Sequence, residues 1–142
     1  MTRDEIVFQA RQWLYVPFVH RGRTERGLDC LGLGIVVAKY FGVPHEDMPD
    51  YSHQPHPRRL VLTTMRKWLK PMSLTGNLTG CIGVFAQVKL PCHVGFFTMK
   101  EYRPHILHVR IDAGVAEEPY DDNPVTRSLR AIDVLAFPDM EI

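Results

Sequence analysis

No apolar run in this 142-residue chain reaches the roughly 18 residues that would span a bilayer, so membrane insertion is not expected. The N-terminus, Met1-Thr2-Arg3-Asp4-Glu5, lacks the basic start and apolar core of a secretory signal. We therefore expect synthesis in the cytoplasm without a cleaved signal. An excess of charge of either sign is also missing, with 17 Lys and Arg against 16 Asp and Glu. The net charge is +1, and the modest basic clusters at Arg21 to Arg26 and Arg58 to Lys67 predict solvated faces, not a surface for nucleic acid. Cysteine is scarce: three residues, an odd number, argue against a disulfide framework and suit a reducing compartment, so Cys30 is expected to be free. Repeats and low-complexity segments are lacking too. A chain that is 45% hydrophobic and 23% charged is ordinary for a globular protein, and its length suits one domain over residues 1–142.

The stretch Gly27-Leu28-Asp29-Cys30-Leu31-Gly32-Leu33-Gly34 turns a charged loop into an unbroken apolar run that ends at Ala38. Asp29 as N-cap, followed by Cys30, Leu31, Leu33, Ile35, Val36 and Val37, predicts a buried helix running to about Phe41 and stopped by Gly42 and Pro44. Cys30 then sits at the positive end of that helix. Four unpaired N–H groups and the macrodipole favour an anion there, so the thiol is expected to lose its proton more readily than an ordinary cysteine. That suits a nucleophile. The other reading of a lone cysteine is a small core residue, and only its partners decide between the two.

Before this helix, Thr2 to Glu5 has the form of a capping box, and Ile6, Ala10, Trp13 and Leu14 follow at helical spacing, predicting a helix from residue 3 to about 15, ended by Pro17. Residues 16–28 carry too much charge for core and read as a loop, as do residues 43–56 with Pro44, Pro49 and Pro55. Pro57 is placed to start a third helix, with Leu60, Val61, Met65, Trp68 and Leu69 inward and Pro71 closing it. Beyond a polar loop, residues 81–88, 93–99, 105–111, 114–117 and 131–137 are short, β-branched or aromatic, and separated by turn residues. Helices first and a strand meander after them indicate an α+β domain with an antiparallel sheet.

A hairpin of 93–99 with 105–111 about Met99-Lys100-Glu101-Tyr102 sets His93 opposite His108 on one face, with His105 on the other. A different register would exchange His105 with His108, so both remain candidates for that place. With the Cys30 helix lying on that face, a Cys-His-His set follows. Cys30 attacks a carbonyl carbon, His93 takes the thiol proton and returns it to the leaving amine, and His108 bonds the far nitrogen of His93 and fixes its tautomer. The N–H of Cys30 is the expected oxyanion donor. This is acyl transfer, most simply amide hydrolysis, and it requires no cofactor and no metal. Cys81 and Cys92 fall within strand signals and read as core, and a zinc set of Cys81, Cys92, His105 and His108 lacks the usual C-x₂₋₄-C spacing. His45, His53 and His56 are irregularly spaced, without a Cys or Glu partner pattern, and read as surface residues.

The run Ala10-x-x-Trp13-Leu14-x-x-Pro17-Phe18-x-His20-x-Gly22-Arg23, then Gly27-x-Asp29-Cys30-x-Gly32-Leu33, Gly80 to Phe85, His93-Val94-Gly95 and Ile106-Leu107-His108 resembles the NlpC/P60 cysteine peptidases, above all their short phage-encoded cell-wall peptidase subgroup. The resemblance spans nearly the whole chain. It implies a circularly permuted papain-like fold, with N-terminal helices packed on a C-terminal antiparallel sheet. It also implies hydrolysis of peptidoglycan stem peptides between D-glutamate and a diamino acid, and a place with a phage tail or delivery to the cell wall alongside phage tail proteins. It carries the nucleophile onto Cys30, the base onto His93 and the third member onto His108, with Asp29, Phe18 and His20 in the substrate and oxyanion vicinity. Two positions depart from the family: Phe18 stands where a Tyr is frequent, so His20 supplies that polar contact or the site goes without, and Leu31 stands where a Ser often follows the Cys. Two other readings stay open. One is a structural tail-assembly or tail-tip protein with weak or lost activity, against which the intact set argues. The other is a different papain-like acyl transfer, a deamidation or transfer to an amine, which would use the same nucleophile and base.

Overall fold

The computed structural model describes residues 1–51, 58–86, 92–120, 126 and 129–142. Its first helix, α1 (Arg3–Arg11), is started by a complete capping box: the Thr2 hydroxyl accepts from the Glu5 N–H, and the Thr2 N–H donates to the Glu5 carboxylate. It is shorter than the apolar spacing predicts. From Gln12 onward the bonds tighten to i→i+3, and Tyr15 turns into the left-handed region (φ 73°), two residues before Pro17. Trp13 and Leu14 keep helical spacing through these tight turns, so a periodicity reading counts them as helix.

The expected loop 16–28 contains a small antiparallel ribbon of β1 (Arg23–Thr24) and β2 (Gly27–Leu28). Its charges do not bar it from structure, because Arg21 and Arg23 are held by carboxylates just outside it, Arg21 by Asp50 and Arg23 by Asp29 and Asp47. It leads into α2 (Cys30–Tyr40), capped by the Asp29 side chain, which accepts from the N–H groups of Leu31 and Gly32. The far end closes in a Schellman pattern, with Gly42 at φ 68° and the Val43 N–H returning to the Ala38 carbonyl. Most of α2 is buried. At Gly32 the helix meets the Gly22 carbonyl so closely that a Cβ there would lie 2.4 Å from that oxygen, so only glycine fits.

Segment 43–51 runs without helix or strand to α3 (Arg58–Met65), which buries Val61, Thr64 and Met65. Expectations for Pro57, His53 and His56 fall outside the described residues; His45 is exposed, as expected. Pro71 does not simply close the helix. It lies in a two-residue strand, β3 (Lys70–Pro71), which joins β4 (Ile82–Ala86), β5 (His93–Lys100), β6 (Arg103–Arg110), β7 (Gly114–Pro119) and β8 (Arg130–Ala136). These form one antiparallel sheet in the order β3-β8-β4-β5-β6-β7. The meander β4 to β7 was legible in the sequence; the return of β8 to the far side of β4 was not.

The β5–β6 hairpin turns on Glu101 and Tyr102, both left-handed (φ 53° and 60°), one residue beyond the expected centre. The register therefore shifts by two, and Gly95, not His93, stands directly across from His108. A shift of two preserves the face, where a shift of one would have reversed it. Ile82, paired with Phe96, lies against α2: a Cβ on Gly34 would be 3.7 Å from its Cδ1. That face joins Val84, Val94 and Leu107 to the helical core. On the other face Phe85, Phe97 and Tyr120 pack together, with ring centroids 5.5 to 5.9 Å apart.

Candidate active site

The start of α2 is held by a buried ionic web centred on Asp29, which has no exposed surface. Its Oδ1 accepts from the N–H groups of Leu31 (3.2 Å) and Gly32 (2.9 Å) and from Arg23 Nη1 (2.9 Å); its Oδ2 accepts from the N–H of Arg21 (2.9 Å) and the Tyr51 hydroxyl. Arg23 also binds both oxygens of Asp47 and the Tyr51 hydroxyl, tying segment 43–51 to the helix start. Burial, then the bond to Asp29, push the Tyr51 phenol above its ordinary range, so it stays a hydroxyl donor. His20 meets the Tyr51 ring edge-on at 5.3 Å, and the Arg21 guanidinium lies over that ring. Phe18 is half-buried and bridges to Leu28. Tyr51, a residue that the sequence reading passed over, thus joins the web at the start of the nucleophile's helix through Asp29 and Arg23.

Cys30 is free and nearly buried, 5% exposed. Its thiol is not poised to ionise as the helix position suggests. Burial, then the Asp29 carboxylate, then Cys92 push its pKa up, against a hydrogen bond from the Val94 backbone and the charge of Arg23. The cap that starts the helix is itself an anion, and it offsets the favourable helix end. With Leu31 and Gly32 bonded to Asp29, the N–H of Cys30 has no hydrogen-bond partner among the described residues.

His93 and His108 form a direct pair, His93 Nε2 to His108 Nδ1 at 2.8 Å, both buried. Because Gly95 and Ala116 stand across from His108 on β5 and β7, the ring has small neighbours on both sides. Its partners are diagonal ones: His93 on β5 and, unforeseen, Glu118 on β7, whose Oε2 lies 2.7 Å from His108 Nε2. Arg110 Nη1 donates to the other Glu118 oxygen at 2.6 Å. The bond from His108 comes first among the causes that hold the Glu118 carboxyl below its ordinary range. Period-two alternation would have found Glu118, had the strand expected at 114–117 been carried two residues further. His105 turns away on the opposite face and bonds the Arg103 carbonyl, so it does not take the place of His108.

The pair does not share a face with α2, contrary to expectation: α2 covers the Ile82 and Val94 side, while His93 and His108 alternate to the other. The two approach each other at the end of β5, where the peptide joining His93 to Val94 hydrogen-bonds the Cys30 sulfur. Cys81 and Cys92 are buried, as expected, with Arg3 reaching Cys81. Among the described residues no group of three or more His, Cys, Asp or Glu is arranged to hold a metal ion.

An NlpC/P60 family protein from Bacillus cereus superposes with a TM-score of 0.66 at 17% identity, over 95% of this chain and 40% of its own. The NlpC/p60 domain of the peptidoglycan hydrolase SagA gives 0.62 at 16% identity, over 96% of this chain and 100% of the domain. This chain has the NlpC/P60 fold. A Staphylococcus aureus protein described as similar to a lipoprotein of the NLP/P60 family gives 0.58 at 14% identity, over 95% of this chain and 41% of its own. The NlpC/P60 fold seen here thus spans about 40% of two of these structures and the whole of the third. No family sequence model matches the chain, and no curated protein sequence is significantly similar to it. Within the NlpC/P60 architecture the helices and antiparallel sheet are those of a papain-like α+β domain.

Proposed function

We propose that residues 1–142 act as one catalytic domain, a cysteine peptidase that hydrolyses amide bonds in bacterial peptidoglycan stem peptides. The carrying observation is the meeting, on an NlpC/P60 fold, of a helix-end cysteine with the strand that begins at a buried histidine pair. In this reading the Cys30 proton passes to His93 as sulfur attacks the carbonyl carbon, and the oxyanion is received by the Cys30 N–H. Collapse expels the amine, which takes the proton from His93, and leaves a thioester on Cys30. Water then attacks the thioester, giving its proton to His93, and the carboxylate leaves as the thiol reforms. Burial and the Asp29 carboxylate favour the neutral thiol, so in this reading the transfer to His93 accompanies the attack.

For the bond cut we propose D-glutamyl to diamino acid, and for the setting a phage or prophage tail, both resting on the resemblance to the short phage-encoded peptidases. Incubation of the purified protein with a stem peptide containing D-glutamyl-meso-diaminopimelate, followed by mass spectrometry, tests the reading. Two fragments that together equal the substrate plus one water are expected, and none with Cys30→Ala. A folded wild type inert toward stem peptides, or a Cys30→Ala variant as active as wild type, would overturn it.

A further inference from the structure

Glu118 has no part in the three-residue scheme, yet it ends a diagonal row across β5, β6 and β7 in which each polar group touches the next. We infer that Glu118 is a positioning residue that sets which nitrogen carries the proton on both imidazoles, so that His93 Nδ1 holds no hydrogen and can act as the base toward the thiol. Its place in turnover rests on the peptidase reading; the proton arrangement does not.

A carboxylate only accepts hydrogen bonds, so the His108 nitrogen 2.7 Å from Glu118 Oε2 must carry hydrogen. In a neutral ring that leaves Nδ1 of His108 bare. Facing it at 2.8 Å is His93 Nε2, which must then be the donor. His93 Nδ1 is then the ring nitrogen of His93 that carries no hydrogen. Without the carboxylate the opposite assignment satisfies the 2.8 Å contact equally well, with His108 Nδ1 donating to His93 Nε2, and His93 then carries its proton on Nδ1 and cannot act as base. Glu118 breaks this symmetry.

Arg110 keeps the carboxylate in that role, because its bond to Oε1 leaves Oε2 for His108 and stabilises the charge. Once His93 takes the proton, the same carboxylate lies at the far end of the row from the new positive charge. Among the described residues, the charged and titratable groups of this row and its neighbours are His93 from β5, His108 and Arg110 from β6, Glu118 from β7, and Asp112 against Arg110, while Cys30 from the start of α2 reaches β5 at the Val94 backbone. Glu117, next in sequence, points to the opposite face and is bound by Arg11 and Thr98.

Glu118→Gln is the discriminating variant. With Arg110 holding the amide oxygen, the amide NH₂ faces His108 Nε2 and should reverse both tautomers. Long-range ¹⁵N–¹H spectra of the histidines, at a pH where both rings are neutral, read this directly. Wild type is expected to show the Nε2–H form at His93 and His108, and Glu118→Gln the Nδ1–H form at His93. On the stem peptide kcat should fall about 10- to 100-fold, the usual effect of losing a group that orients a reacting one, with KM little changed. Wild-type spectra showing Nδ1–H at His93 would overturn the inference without any variant, and so would unchanged tautomers in Glu118→Gln. A wild type with the expected spectra but no stem-peptide turnover would sink the peptidase reading and leave the proton arrangement standing.

Discussion

Replacing Asp29 with Asn should weaken the fold and, at the same time, make the thiol easier to ionise. Asn is as good an N-cap as Asp, so the bonds from Leu31 and Gly32 survive. What is lost is the buried charge facing Arg23, and an NH₂ group is set against the Arg21 N–H. Breaking a buried ion pair from one side costs about 3–5 kcal/mol. Arg23 keeps Asp47 and is one-fifth exposed, which lowers the figure here to about 2–4 kcal/mol. For 142 residues the unfolding entropy makes each kcal/mol about 3 °C, so Tm should fall by roughly 6–12 °C. Removing the Asp29 anion also removes one of the groups that push the Cys30 pKa up, so the thiol should titrate at lower pH. Differential scanning calorimetry reads the first effect, and the pH dependence of iodoacetamide labelling, mapped to the Cys30 peptide, reads the second. A variant that melts like wild type, or whose Cys30 titrates at the same or higher pH, would refute the placement of Asp29 at the centre of this web.

Other positions should respond as follows. A Cβ at Gly95 would lie 3.0 Å from His108 Cβ and from Ile106, so Gly95→Val should displace the His108 ring and cut kcat at least about 10-fold, read in the stem-peptide assay. Burial pushes the Glu117 carboxyl up, but bonds from Arg11 and Thr98 outweigh it and hold the pKa below the ordinary value of 4.5. A depressed carboxyl gives stability that is present above its unfolded pKa and lost as pH falls through the folded one. The Tm of Glu117→Gln should therefore lie below wild type at pH 7 and converge with it below about pH 4.5, a trend that parallel melting curves would contradict. Cys30→Ala and His93→Ala should each abolish turnover, while Cys30→Ala changes Tm by no more than about 6 °C, since it removes a single sulfur from a buried site.

The sequence displayed the parts that depend on local pattern. The Thr2 capping box, the Asp29 cap, the apolar run of α2 and the period-two strands all declare themselves within a few residues. The shared face of His93 and His108 was readable for the same reason, because alternation tolerates an even error in register. Whatever depends on distant segments was not. Tyr51 lies 22 residues from Asp29 in sequence and reaches it only because Arg23 and Asp47 fasten the intervening segment. The rise of the thiol pKa comes from burial and from a cap whose charge opposes the helix end, a balance that spacing alone does not show. Glu118 was hidden by a strand ended two residues too soon.

Acid-quenched mixing of the protein with a stem peptide, followed by peptide mapping, shows whether Cys30 carries the acyl group. A transient thioester mass is expected on the peptide that contains Cys30. An acyl group on Cys81 or Cys92, or cleavage that proceeds with no acylated intermediate under conditions that trap one in a known cysteine peptidase, would contradict it.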